Sequence, residues 1–507
     1  MSAAANTVRA LLERAAAADP DGDFAVAPET GRRLSFAELH RASRALAAFF
    51  DAHGIAPGRH VALLLPNGLQ AVRLFVGTMA AGRVVVPLSL LAQPAQLRYV
   101  IEHSDAVAAF VAPAYAARLD AALAGLARPV AAFVVDPDAA DMPGEPDAPA
   151  WPSLPPTPDD PALLMYTSGT TGRPKGVLLT HGNVAAGARS VGEAHELGAA
   201  DRVLAVLPLY HINAQIVTVL APLAHGGSLI MPRRFSVGDF WQLAEAFRCT
   251  WLNVVPTIVA YLLNDAATAP RRGALPALRF CRSASAPLPP EQHRAFEARF
   301  GIGIVETLGL TETAAPILAN PADVERRRIG SPGKASGCET RIVDPANGRA
   351  VEDGRVGEIV VRGNNVMRGY YKAPEESAAA FTADGWLRTG DLGYRDADGF
   401  HFVTGRLKEL IIKGGENIAP REIDEALLQH PAVLEAAAVG VPDANYGQEI
   451  LAGVVLRPGA DCDEAALRAF CRERLGAFKT PRYLHFLPEL PKGPSGKVQR
   501  LRLLDCQ

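Results

Sequence analysis

Short β-branched runs alternate along this chain with Ala-, Leu- and Arg-rich stretches of helical length, and this alternation is what most constrains the fold. "HVALLLP", "AAFVV", "RVLAVLP" and "TWLNVVP" have the length and composition of strands, whereas "RRLSFAELHRASRALAAFFDAHG" reads as helix. Strands separated by helices pack as a largely parallel sheet with helices on its faces, so a layered α/β architecture is expected. At 507 residues the chain exceeds one ordinary core, and several subdomains are expected.

The stretch from Asp136 to Pro161, dense in Pro and Asp, reads as an exposed connector. A second change comes near residue 405. Upstream, strand-like runs such as "GEIVVRG" and a hairpin turn at Asp398-Gly399 describe a β-rich subdomain. Downstream, "KELIIKGGENIAPREIDEALLQHP", "VLEAAAVGVPD" and "EILAGVVLRPG" read as a small α/β domain. The expected division is residues 1–404, a junction at 405–408 and residues 409–507.

Charge and composition exclude several classes of function. A formal net charge of −3 supplies no basic field for nucleic acid. The longest apolar runs, "VVVPLSLLA" and "IVTVLAPLA", fall short of the roughly 20 residues of a membrane span. Arg9, Glu13 and Arg14 interrupt the N-terminal stretch where a secretory signal needs an apolar core, so an amphipathic first helix is expected. The six cysteines form no C-x-x-C pair, which argues against zinc and redox motifs and for reduced thiols. The expected compartment is the cytoplasm.

"YTSGTTGRPKG", Tyr166 to Gly176, follows the apolar run "ALLM" and carries hydroxyls, glycine amides and two cations. A Walker A loop needs Gly before its Lys and Ser or Thr after it, and it opens a helix. Here Pro174 precedes Lys175, Gly176 follows, and "GVLLT" is strand-like. The loop therefore reads as a turn between two strands. It is able to close over phosphates by hydrogen bonds and charge, and by itself it also fits a polar surface hairpin.

Its companions, "LPLYHINAQ", "RSASAPLP", "ETLGLTET", "LRTGDLGY", "GRLKELIIKGGENIAPREIDE" and "LPKGPSGKVQR", occur in this order along nearly the whole chain. Together they resemble the adenylate-forming superfamily of acyl-CoA synthetases, peptide-synthetase adenylation domains and luciferases. The segments around Arg282, Cys471 and Lys497 are most similar to the branch of oxalate-CoA ligases and related small-acid or fatty-acyl-CoA ligases. The resemblance implies a large adenylation domain and a small mobile C-terminal lid. It also implies a reaction of two steps, in which a carboxylate attacks Mg-ATP to give acyl-adenylate and pyrophosphate, and a thiol then displaces AMP.

The same resemblance implies roles for residues. Thr167, Ser168, Gly169, Thr170, Thr171, Gly172 and Lys175 would hold the β- and γ-phosphates. Thr311 would bond the α-phosphate, and Glu312 would bind Mg²⁺ as a hard oxygen ligand. Ser283, Ala284, Ser285 and Ala286, with Glu306, Thr307, Leu308 and Gly309, would cradle adenine; Leu308 stands where most members carry a stacking aromatic. Asp391 would hold the ribose hydroxyls, and Arg406 would contact ribose and phosphate. Lys497 would bridge carboxylate and α-phosphate, and Lys408 would be the hinge whose rotation presents Lys413, Gly414 and Gly415 beside the pantetheine tunnel.

Tyr210, His211, Asn213, Gln215, Val255, Ser285 and Ala314 are the implied acyl pocket, with His211 at the reacting carboxylate. The polar groups of Asn213 and Gln215 argue for a small or medium acid with a polar substituent. Coenzyme A is the expected acceptor, since the chain ends soon after Lys497 with no carrier domain appended; an acyl carrier protein is the alternative. A monomer or homodimer is expected. A non-catalytic relative would be expected to lack Lys497, Glu312 or Asp391, and all are present.

Overall fold

The computed structural model describes residues 6–506 except 140, 142–147, 149, 168–173, 266, 268, 271, 272, 274, 324 and 494–497. Three sheets are built from residues up to Arg406, and a fourth from Ile411 onward.

The nine-stranded sheet runs, edge to edge, through Lys334–Ala335, Ala315–Ala319, Ile304–Leu310, Phe280–Ser283, Trp251–Val254, Arg202–Ala205, Ser228–Ile230, Asp23–Val26 and Arg33–Ser35. Its inner strands are parallel, as alternating β and α segments require. Its edges are antiparallel, and the connections 27–32 and 311–314 are too short for a helical crossover. The seven-stranded sheet has the same plan, with Pro161–Thr167 and Lys175–Thr180 antiparallel at one side. Both sheets are therefore mixed rather than purely parallel.

Local chemistry sets the element boundaries. "RRLSFAELH" does not begin as helix; Arg33–Ser35 is an edge strand. The helix Phe36–Ala52 starts at Ser35, whose hydroxyl accepts from Glu38 N (3.2 Å) while the Glu38 carboxylate accepts from Ser35 N (2.8 Å). The first helix, Val8–Ala18, is amphipathic as expected, burying Val8, Leu11, Leu12 and Ala15. Trp251 and Phe280, both buried, stack at 5.8 Å and 26° on the face of the large sheet covered by the helix His181–His195.

The third sheet is antiparallel, with Leu387–Arg395 and His401–Arg406 forming the hairpin expected at Asp398-Gly399. The fourth joins Ile411–Lys413, Glu416–Ile418, Val433–Asp443, Gly447–Leu456 and Tyr483–Phe486 beneath the helices Pro420–Leu428 and Glu464–Lys479. All six cysteines are free thiols. Among the described residues no helix is long and apolar enough to cross a membrane.

Within the C-terminal part, Asp424 is buried, ion-paired to Arg500 and bonded to Ala438 N at 2.7 Å. Arg500 also donates to Ala438 O (3.1 Å) and reaches Glu409 (3.4 Å). Removing one member of a buried pair strands the other charge. Asp424→Ala should therefore cost about 3 kcal/mol of stability. Urea unfolding measures this directly, and a loss below about 1 kcal/mol would class the pair as a surface contact.

Candidate active site

Four parallel strands end beside one another, and the candidate residues lie at or just past their C-terminal ends. Arg202–Ala205 leads to Tyr210 and His211, Trp251–Val254 to Val255, Phe280–Ser283 to Ser285, and Ile304–Leu310 to Thr311 and Glu312. Carboxyl ends of parallel strands are where loops diverge and leave room for a ligand. Here they border a cavity of about 310 Å³ that the C-terminal part closes from above through Arg421, Lys492, Val498 and Arg500.

Ser285, Ala286, Glu306, Thr307, Leu308, Gly309, Asp391 and Arg406 line this cavity. The side-chain oxygens Ser283 Oγ, Glu306 Oε2 and Thr307 Oγ1 are buried without a hydrogen-bond partner. Burial pushes the Glu306 carboxyl up, while its other oxygen accepts from Leu288 N at 3.1 Å. Buried polar atoms without partners await a polar occupant. Ser285 is held at φ +74°, a left-handed backbone costly for any residue with a Cβ.

Asp391 and Arg406 face each other across the antiparallel hairpin, joined by Arg406 Nε to Asp391 Oδ1 at 2.8 Å. The buried carboxylate holds the Arg406 guanidinium above its ordinary range. Lys408 lies exposed in the turn Leu407–Glu409 immediately after this strand.

Thr167 pairs with Lys175, so the two strands expected on either side of the phosphate-loop candidate are present and antiparallel. Ser168, Gly169, Thr170, Thr171 and Gly172 lie outside the described residues, as does Lys497. Tyr99 Oη donates to Pro174 O (3.1 Å), and Tyr371 N to Gly176 O (2.7 Å), anchoring the outgoing strand. Lys175 Nζ sits 5.2 Å over the ring of Tyr370, whose hydroxyl donates to Glu312 Oε1 at 3.0 Å. Tyr370 thus links two candidates far apart in sequence; reading the sequence missed it, and the only signal was its place after Gly in "RGYY".

The His211 ring lies against that of Tyr210 at 4.5 Å, tilted by 56°. Asn213 begins a π-helix, Asn213–Leu220, an irregularity common at functional sites. Asn213 Nδ2 donates to Ser285 Oγ at 3.1 Å, whereas Gln215 Nε2 folds back onto Leu209 O at 2.7 Å and braces the loop beneath Tyr210. Lys413 is not at the cavity: it is buried, ion-paired to Glu449, and donates to Phe478 O at 2.9 Å. Gly414 (φ +56°) and Gly415 (φ +84°) make the tight hairpin beside it, also away from the cavity.

Residues 12–371 match the AMP-binding enzyme family, and residues 422–497 match the AMP-binding enzyme C-terminal domain. The chain belongs to the AMP-binding enzymes. It is 58% identical over 505 residues to the sulfoacetate–CoA ligase of Cupriavidus necator, covering 99% of this chain and 98% of that one. It is 36% identical over 512 residues to the oxalate–CoA ligase of Arabidopsis thaliana, covering 98% and 97%. Its structure superposes on ATP-bound MatB from Rhodopseudomonas palustris with a TM-score of 0.91, at 31% identity over 99% of both chains. As an AMP-binding enzyme it is an acid–thiol ligase that uses ATP, Mg²⁺ and coenzyme A.

The residues present fit those groups. The unpartnered oxygens around Glu306 and Thr307 suit a nucleobase, and the Asp391 carboxylate suits hydroxyl donors. Glu312 is a hard oxygen donor, and among the described residues no group of three or more His, Cys, Asp or Glu is placed to hold a metal ion. A magnesium ion held by Glu312 would need further oxygen ligands from the phosphates, the usual arrangement for that ion.

The helix His181–His195 meets the turn carrying Thr311 and Glu312 at Gly187, where a Cβ would lie 2.0 Å from Ala314 O. Only glycine permits that approach. Gly187→Ala should destabilise the protein by about 1–3 kcal/mol through overpacking. Thermal unfolding measures the effect, and an unchanged midpoint would mean that the turn moves aside freely.

Proposed function

We propose that this ligase activates a short carboxylic acid carrying a second polar or anionic group, with sulfoacetate the first candidate. The observation that carries this reading is end-to-end identity of 58% with a sulfoacetate–CoA ligase. It is supported by the polar pair Asn213–Ser285 where an alkyl-binding tunnel would be apolar. The first step brings two anions together, so fixed cations and donors around the α-phosphate are its main requirement.

In this proposal Thr167 to Gly172 and Lys175 hold the departing pyrophosphate, Thr311 bonds the α-phosphate, and Lys497 stabilises charge between carboxylate and phosphorus. Mg²⁺ at Glu312 supplies charge neutralisation of the phosphates. Asp391 and Arg406 hold the ribose. Leu308 packs on adenine by aliphatic contact alone, so adenine recognition rests more on the backbone of Ser283–Pro287 and Glu306–Gly309. His211 borders the reacting carboxylate.

The division at residues 404 and 409 and a hinge at Lys408 belong to the same proposal. The placement of Lys492 and Val498 at the cavity, with Lys413 turned away, supports reading this arrangement as the one for adenylation. Rotation about Lys408 would withdraw Lys497 and bring Lys413, Gly414 and Gly415 to the pantetheine, letting the thiol displace AMP. Coenzyme A is the acceptor, and an acyl carrier protein is the alternative. The six free cysteines support a reducing cytoplasmic setting.

The test is a panel of acids assayed for pyrophosphate release with ATP, with and without coenzyme A. Sulfoacetate should exceed propanoate and longer alkyl acids in kcat/KM; a preference for alkyl acids would overturn the substrate class. Lys175→Ala should slow adenylation at least tenfold, about 1.4 kcal/mol. Thioester formation from supplied acyl-adenylate should stay nearly intact. Lys408→Pro should spare pyrophosphate release and abolish acyl-CoA formation, and equal survival of both half-reactions would remove the hinge.

A further inference from the structure

Arg282 lies in the strand Phe280–Ser283 on the same face as Phe280, beneath the π-helix that begins at Asn213. Only 2% of its surface is exposed. Its described partners are two neutral amides: Nη1 donates to Asn213 Oδ1 (2.9 Å) and to Asn253 Oδ1 (2.8 Å), and its Nε is buried with no hydrogen-bond partner. Burial pushes its guanidinium down to about 9, and no carboxylate acts to raise it. Buried charges are ordinarily paired, so this cation lacks a counter-charge that the described residues do not provide.

The hydrogen bonds around it run in one direction. A guanidinium has only donors, which fixes Asn213 Oδ1 and Asn253 Oδ1 as acceptors without ambiguity of amide orientation. Asn253 Nδ2 also donates to Asn213 Oδ1 (3.1 Å), so both known donors to Asn213 converge on its oxygen. Its amide nitrogen is therefore turned the other way and donates to Ser285 Oγ (3.1 Å). Ser285 accepts there, which leaves its own hydroxyl proton to be given toward the cavity it lines. Ser285, at the cavity wall, is thus backed by a buried positive charge, with Asn213 as the link.

We propose that Arg282, acting through Asn213 and Ser285, favours a second anionic group on the acid substrate, a sulfonate or carboxylate close to the reacting carboxylate, at the Ser285 wall of the cavity. This rests on the substrate class proposed above and assigns it to particular residues. Such a group would accept from Ser285 and offset, across Asn213, the charge of a guanidinium that it does not touch. An alkyl chain at the same place would bury hydrocarbon against donors and gain nothing from the cation. Arg282 acts in specificity; the reacting carboxylate is served by other residues.

The experiment compares the full-length enzyme with Arg282→Met, Arg282→Lys and Asn213→Ala, using sulfoacetate and propanoate as paired substrates in ATP–pyrophosphate exchange. The expected result is a fall of at least a hundredfold in the sulfoacetate-to-propanoate ratio of kcat/KM in Arg282→Met, mostly in KM for sulfoacetate. Arg282→Lys should recover part of that ratio, because charge without the planar fork remains. A merely structural arginine would lower both substrates together and leave the ratio unchanged, which overturns the inference. If Arg282→Met does not fold, Asn213→Ala decides: its ratio should fall at least tenfold, and a ratio within threefold of the parent is refutation. A parent enzyme with no preference for sulfoacetate removes the substrate class itself, and this inference with it.

Discussion

The pairing register of four parallel strands is the constraint on which the rest of the site depends. Ala205 pairs with Asn253, Asn253 with Arg282, and Arg282 with Val305. One row further, Val254 pairs with Ser283 and Ser283 with Glu306. A slip of one residue in any strand would turn its side chains to the opposite face of the sheet. The register therefore decides that Asn253 and Arg282 share a face and that Glu306 reaches the cavity wall. Backbone hydrogen bonding sets the register, while the stacked pair Trp251 and Phe280 gives it a packed face on which to settle.

A second layer of organisation joins elements that the large sheet alone leaves apart. Tyr370 comes from a short strand that pairs with Lys175–Thr180, and its phenol reaches Glu312 in a turn after the large sheet. The cation of Lys175 rests on the same ring. Burial and the adjacent Glu312 carboxylate hold this phenol protonated and donating. The bare glycine surface at Gly187 lets the helix His181–His195 lie against the turn after Glu312. Packing and hydrogen bonding thus pre-arrange groups that would otherwise need to be ordered during binding.

Much of the fold was legible in the residues, and so was part of the site. Alternation of strand-like and helical runs foresaw the layered α/β plan, and Asp398-Gly399 foresaw its hairpin. The start of the second helix was not legible from periodicity, because the Ser35–Glu38 capping pair overrides the run of helix formers before it. The antiparallel sheet edges were missed for a related reason: alternation reports on crossover connections and is silent about short turns. In the site, Ser285, Glu306 to Gly309, Asp391 and Arg406 were named beforehand and are found together around one cavity. Tyr370, Gly187, Asn253 and Arg282 were not, since each has its importance through a partner distant in the chain.

The residue order by itself determined the class of chemistry. Failure of the Walker pattern at Pro174 and Gly176, together with the ordered companion motifs, points to the AMP-binding family and names candidate residues for the nucleotide, because motif chemistry depends on residue type and local spacing. Tertiary structure alone decided what those residues do to one another. It placed Lys413 against Glu449 and away from the cavity, turned Gln215 back to brace its own loop, and buried Arg282 among neutral amides. Burial, and the absence of a counter-charge among the described residues, are properties of surroundings assembled from many parts of the chain, and no local run of residues encodes them.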